Sequence, residues 1–327
     1  ANDCPQDATL ERASLRIYAT FYAANAESQA LDQPHAQPSP ALAGLQEQVE
    51  DVLSQQRLAL SSANALAMLD DSFFKSVRAR GGPLSDRLRD GYASIMQAAA
   101  NDPRYAVADQ LGFIDAELRV LTDLGKPKAP LPKDVVAMAH QRVDAALAAE
   151  QNPFVRSGLV NASLDILEDI DDLTGAYQVA HAEIARASTP YYYKADLAEI
   201  AEKLGRKDEA LTLFEEAYRE SQGAATRFQW GQLYVSGLLR MAPEDTARIA
   251  DASASVLGEL DGPDRIYRRA RVRLERLDQE LRAWNDAANG SHQDLLQRLH
   301  GRMQEICVKI PDTDAARASC DAFLKSA

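Results

Sequence analysis

The chain has 327 residues, 46% apolar and 26% charged, with 49 acidic side chains against 36 basic ones and a formal charge of −13. That composition excludes a disordered polymer, and the charge argues against a nucleic-acid or anionic-membrane partner, because both repel such a surface. No apolar run reaches the ~20 residues that a membrane-spanning helix needs, and the length suggests about two domains.

In chain order, residues 7–31 predict one helix, with Leu10, Leu15, Ile17, Tyr18, Phe21 and Tyr22 on a broad apolar face. The stretch DQPHAQPSP (32–40) predicts an extended linker, since proline fixes φ and donates no backbone hydrogen bond. Leu42, Leu45, Val49, Val52 and Leu53 mark a second helix, with apolar positions continuing from Leu58 to Leu69. After RARGGPLSD (78–86), Pro83 and Ser85 suit the start of a helix carrying Leu84, Leu88, Tyr92 and Ile95. Asp102-Pro103 opens a further helix that closes at Gly125. KPKAPLPK (126–133) is a second proline-rich linker, so that 1–125 forms an N-terminal helical region.

From 134 onward the pattern is regular. Helices of about four turns are separated by breaks at Asn152-Pro153, Asp171–Gly175, Thr189-Pro190, Gly205, Gly223, Ala242-Pro243, Gly262-Pro263, Asn289-Gly290 and Pro311. No β-branched alternation of strand length occurs. Residues 34 apart pair Ile166 with Ile200, Ile170 with Leu204, Ala176 with Ala210, Val179 with Leu213, and Ile184 with Tyr218. Thirty-four residues is the tetratricopeptide period, a helix–turn–helix unit that stacks on its neighbours. The expected fold is therefore all-α: a right-handed superhelix of antiparallel helix pairs, tetratricopeptide-like, without a β-sheet. The repeats cover 134–260, and 261–327 forms a long helix followed by a helical hairpin. In the long helix, Tyr267, Leu274, Leu277, Leu281 and Trp284 keep a nearly heptad seam.

Chemistry is sparse. His35, His140, His181, His292 and His300 are scattered without metal-ligand spacing, and the acidic DILEDIDDLTGA (165–176) lacks the glycine and terminal glutamate of a calcium loop. No phosphate loop, nucleotide fingerprint or nucleophile elbow occurs, so no catalytic residue, metal or cofactor is expected. Two surface features remain. Tyr191, Tyr192, Phe228, Trp230 and Tyr234 fall at comparable places in successive units; they line a groove for a protein or peptide partner, or they pack between repeats, and packing is favoured. Of the tyrosine triplet, successive side chains point about 100° apart, so Tyr193 is expected to be buried and only Tyr191 or Tyr192 available to a ligand. Arg265, Arg268, Arg269, Arg271, Arg273 and Arg276 form a basic stripe. It is an anion or acidic-partner site, or a solvated face paired with Glu275, Asp278 and Glu280; the sequence favours the second.

Of three cysteines, Cys307 and Cys320 lie thirteen positions apart across the Pro311 turn. Facing each other in a helical hairpin they form a disulfide, worth roughly 3 kcal/mol for so short a loop, and imply an oxidising compartment; otherwise they are two buried thiols. Cys4 is left over. The opening ANDCPQDATLER has neither the basic nor the apolar region of a signal peptide, which fits an exported chain after signal removal or a piece of something longer.

The succession PYYY, GRKDEAL, ATRFQWG and APEDTARI, with RLERLDQELRAWN and the closing ICVKIP and ARASCDAFL, resembles the helical C-terminal region of bacterial exported thioredoxin-family, disulfide-isomerase-like proteins. The similarity covers about residues 150–327. It implies a periplasmic or secreted setting and a role beside thiol–disulfide chemistry. This chain has no CxxC, so no catalytic residue carries over from that family. Two expectations follow: a non-enzymatic helical-repeat module that binds a protein or peptide, or a substrate-positioning domain whose thioredoxin CxxC partner domain lies outside this chain. A purely structural oligomerisation scaffold built on the 264–285 helix is a third.

Overall fold

The computed structural model describes residues 17, 40–69, 71–80, 82–123, 131–149, 152–262, 265–311 and 315–325. The helix expected at 7–31 (apart from Ile17), the 32–40 linker before Pro40, Cys4, and 126–130 of the second linker lie outside these residues. Among the described residues there are sixteen helices and no strand. The chain divides into two compact units, 1–176 and 177–327, with the boundary inside a helix.

Unit one holds α1 (Pro40–Leu53), α2 (Gln56–Ser61), α3 (Ala63–Ala67), α4 (Asp71–Arg80), α5 (Gly82–Ala100), α6 (Val107–Asp123), α7 (Lys133–Ala149) and α8 (Pro153–Asp169). Helices α5 and α6 pack along each other, and α6 also packs on α8. The second helix expected from Leu42 is α1, and the apolar positions from Leu58 onward fall on the separate short helices α2 and α3. Ser54 and Ser61 donate from Oγ to the carbonyls of Asp51 (2.7 Å) and Leu58 (2.8 Å) at the ends of α1 and α2. Asp102 does not cap α6. It accepts from the Arg104 backbone at 3.0 Å in a local turn, and the helix starts only at Val107. Buried Tyr92 donates to the Leu66 carbonyl at 2.8 Å, and buried Gln46 donates to Ser76 at 2.7 Å.

Helix α9 (Leu173–Ile184) contains the unit boundary. Unit two continues with α10 (Pro190–Lys203), α11 (Lys207–Glu220), α12 (Ala224–Met241), α13 (Thr246–Gly258), α14 (Arg268–Ala287), α15 (Gln293–Cys307) and α16 (Ala315–Ala322). Among the described residues, the breaks expected from 152 onward fall at helix boundaries, except that Leu173, Thr174 and Gly175 of the Asp171–Gly175 break already belong to the helix Leu173–Ile184. Two helix ends 34 residues apart close in the same way. Asp171 (φ 63°) and Gly205 (φ 76°) are both left-handed, and the residue after each donates to the carbonyl five positions back, Asp172 to Leu167 and Arg206 to Ala201. Four of the five residue pairs at that spacing share a burial level; only Ile184 and Tyr218 differ.

Within unit two, α10 packs on α11, α11 on α12, and α12 on both α13 and α14. The close approach requires Gly231, where a Cβ would lie 2.5 Å from Val256 Cγ2 and 3.1 Å from the Tyr218 ring. Phe214, 1% exposed, fills the neighbouring space against Gly237. The α14 seam consists of Ala270, Leu274, Leu277, Leu281 and Trp284. Tyr267, assigned to that seam from sequence, is 43% exposed, because it is the residue before the helix begins, in extended conformation. At the far end a disulfide joins Cys307 to Cys320 with the Cα atoms 5.6 Å apart, tying α15 to α16.

Candidate partner-binding surface

The aromatic residues separate into two environments. Phe228 (1% exposed), Trp230 (7%) and Tyr234 (4%) belong to the core of unit two, because α12 is flanked by α11, α13 and α14. The Tyr234 hydroxyl accepts from Arg248 Nε at 2.6 Å, and Arg248 pairs with Glu215 at 2.7 Å. Burial pushes the Tyr234 hydroxyl pKa up. Tyr193 is buried and Tyr191 is half-buried against the core, leaving Tyr192, 46% exposed, as the most accessible ring. Tyr192 meets Trp230 edge-on with ring centres 5.2 Å apart. These five side chains therefore do not line one surface, and the packing alternative accounts for three of them.

A different surface is assembled from α12 and α14. Burying the 270/274/277/281 seam turns the adjacent strip of α14 toward the edge of the contact, since residues three and four apart share a helix face. Arg268, Arg269, Val272, Arg273 and Arg276 on that strip face Gln229, Gln232 and Leu233 of α12 across a groove of about 450 Å3. Its floor is polar and fixed. Gln232, 2% exposed, donates to Ser236 at 2.8 Å, Ser236 donates to the Glu280 carboxylate, and Arg276 Nε donates to Glu280 at 2.9 Å. Val272 is 60% exposed, an apolar side chain set among guanidinium groups.

The stripe thus has two parts. Toward its C-terminal end the expected pairing occurs, Arg276 with Glu280 and Arg282 with Asp278, each at 2.9 Å. Arg269 and Arg273 have no carboxylate partner among the described residues; Arg273 only reaches the Arg269 carbonyl at 3.5 Å. The first turn of α14 contains no acidic residue, and Tyr267 provides no side-chain cap. Cations at a helix N-terminus oppose the macrodipole, at roughly 0.3–1 kcal/mol each. Local helix stability therefore does not explain this arrangement.

Sequence reasoning found the arginines but missed Gln229, Gln232 and Leu233. The available signal was Gln232 itself, an amide inside the otherwise apolar run of α12. Among the described residues no group of three or more His, Cys, Asp or Glu is placed to hold a metal ion, and no helix is long and apolar enough to cross a membrane. Comparison with protein-family models and with curated proteins finds no match.

Proposed function

We propose that residues 177–327 form a tetratricopeptide-like, non-enzymatic module that binds a protein or peptide partner, in the periplasm or another oxidising compartment. The observation that carries this reading is the α12–α14 groove, in which Val272 and Leu233 are accessible beside side chains that hydrogen bonding fixes in place. Stacked helix pairs bind extended or helical segments in such grooves, with apolar anchors providing affinity and polar walls providing register. The left-handed turn at Gly205, between α10 and α11, supports the repeat assignment, and the Cys307–Cys320 bridge supports the compartment.

Panning a random peptide library against the oxidised full chain tests this. Enriched peptides should bind the parent and lose affinity for Val272→Asp. If no peptide is enriched, or if the variant binds every enriched peptide equally well, the groove is not a recognition site.

A second reading is a substrate-positioning domain of a thiol–disulfide oxidoreductase whose CxxC domain lies outside this chain. The buried disulfide and the resemblance of 150–327 to the helical regions of thioredoxin-family proteins favour it. Supplied together with a separate thioredoxin domain, the chain should then accelerate refolding of a scrambled disulfide substrate. An unchanged refolding rate would count against this second reading.

A further inference from the structure

We infer that the α12–α14 groove takes an acidic peptide segment, one that presents carboxylates on either side of an apolar residue; this rests on the partner-binding reading above and names the partner's chemistry. Residues 265–276 hold six arginines against one glutamate, inside a chain that carries 49 acidic and 36 basic side chains. Carboxylates are abundant, and elsewhere in the same unit they are used. Arg227 pairs with Glu259, Arg240 with Glu202, Arg248 with Glu215, and Arg317 with Asp321. Arg269 and Arg273, on the wall of the groove, are left without one among the described residues. A carboxylate placed between them would also meet the positive end of the α14 dipole, which reverses the local electrostatic penalty on that turn.

Spacing defines the ligand further. Arg269 and Arg273 are four helical positions apart, roughly 6 Å along the axis at 1.5 Å per residue. An extended peptide rises about 3.3 Å per residue, so carboxylates on alternate residues match that strip. Guanidinium groups accept carboxylates in a bidentate fork, which adds register to attraction. Val272 and Leu233 lie between the charges and would contact one apolar side chain of the peptide. The apolar wall and the fixed Gln232 floor distinguish this site from a general anion surface. The net charge of −13 repels a nucleic acid or an anionic bilayer as a whole, while a short segment can enter the local basic field.

The test uses the intact oxidised chain and three synthetic peptides, each with a central leucine flanked by glutamates, by glutamines or by lysines, followed by fluorescence anisotropy at low and high salt. The glutamate peptide should bind, at least about tenfold more tightly than the glutamine peptide, a difference of about 1.4 kcal/mol, and should weaken with added salt. Arg269→Glu/Arg273→Glu should abolish that binding and gain affinity for the lysine peptide, while Arg269→Gln/Arg273→Gln should lose the first without gaining the second. Equal affinity for the glutamate and glutamine peptides overturns the inference, as does stronger binding to phosphatidylglycerol vesicles or to single-stranded DNA. If the glutamate peptide fails while a library peptide of other composition still distinguishes Val272→Asp from the parent, the acidic class is wrong and the partner-binding reading stands.

Discussion

Two regions of unit two handle charge in opposite ways. Between α10 and α13 four long cations are matched: Lys194 reaches Glu216 and Glu220, Arg240 reaches Glu202 through two hydrogen bonds, and Arg227 and Arg248 pair across helices while lying over the rings of Tyr218 and Tyr234. On the first turns of α14, arginines of the same kind stand beside a groove, and two of them have no acid among the described residues. The first region spends its charges on joining helices. The second keeps Arg269 and Arg273 beside the groove with no acid among the described residues, which is what a recognition surface requires.

The largest expected effect should fall on the joined region. Phe214→Ala removes a ring that is 1% exposed and leaves a cavity between α11 and α12, lowering unfolding free energy by about 4 kcal/mol. Chemical denaturation checks it, and a loss below about 1 kcal/mol would mean that this packing is not where stability resides. Next, Cys307→Ser/Cys320→Ser should lower stability by roughly 3 kcal/mol. Helix α16 packs on α14 and buttresses it, with Arg282 donating to the Lys325 carbonyl at 3.0 Å. Glutamate-peptide affinity of the still-folded variant should change less than about threefold. A larger loss would show that the groove depends on this buttress.

A third treatment of charge, in unit one, allows the two units to be told apart by pH. Glu117 on α6 is 3% exposed; burial first, and then the Asp134 carboxylate, push its pKa from 4.5 up to about 7. One of its carboxyl oxygens is buried without a partner. Folded Glu117 keeps its proton until about pH 7, whereas the unfolded chain releases it near 4.5. Stability therefore falls as pH rises through that window and levels off above it. Glu117→Gln should flatten this slope and stabilise unit one on the order of 2 kcal/mol at pH 8, with little difference at pH 4. Thermal melts of parent and variant across that range decide it, and parallel curves would exclude Glu117 as the source.

The smallest effects bear most directly on the comparison. Arg248→Ala, which removes the donor to the Tyr234 hydroxyl and leaves Glu215 with Arg219, should cost about 1 kcal/mol. Arg269→Glu should do the reverse: it replaces a cation by an anion in the first turn of α14 and should raise stability by about 0.5–1 kcal/mol. A substitution that removes peptide binding while strengthening the fold would separate recognition from stability at one position. If Arg269→Glu destabilises as much as Arg248→Ala, the contrast between the two regions fails.

Much of the fold was legible in the sequence because its punctuation is local. Proline at 153 and 190 starts helices, and the left-handed turns at Asp171, Gly205 and Asn289 end them, each for a reason confined to a few neighbouring residues. Legibility failed where two local signals competed. The apolar positions from 42 to 69 are divided among three helices, and Asp102 took an Asx turn in place of a helix cap. Tyr267 fits the heptad by spacing but lies before the helix, and Ala270 takes its place. The site was legible by half: the arginine stripe is a property of one helix, while its facing residues are not.

The sequence by itself determined that the chain is helical, where most of its helices begin and end, and that two cysteines sit at the ends of a hairpin. Those properties follow from backbone sterics and hydrogen bonding within a few residues. Only the tertiary structure decided which helices touch. The aromatic residues of α12 are core because α11, α13 and α14 enclose it, and the arginines of α14 acquire a polar floor and an apolar wall because α14 returns along α12. A groove requires two elements about 40 residues apart in the chain to be placed side by side, and no local propensity encodes that distance.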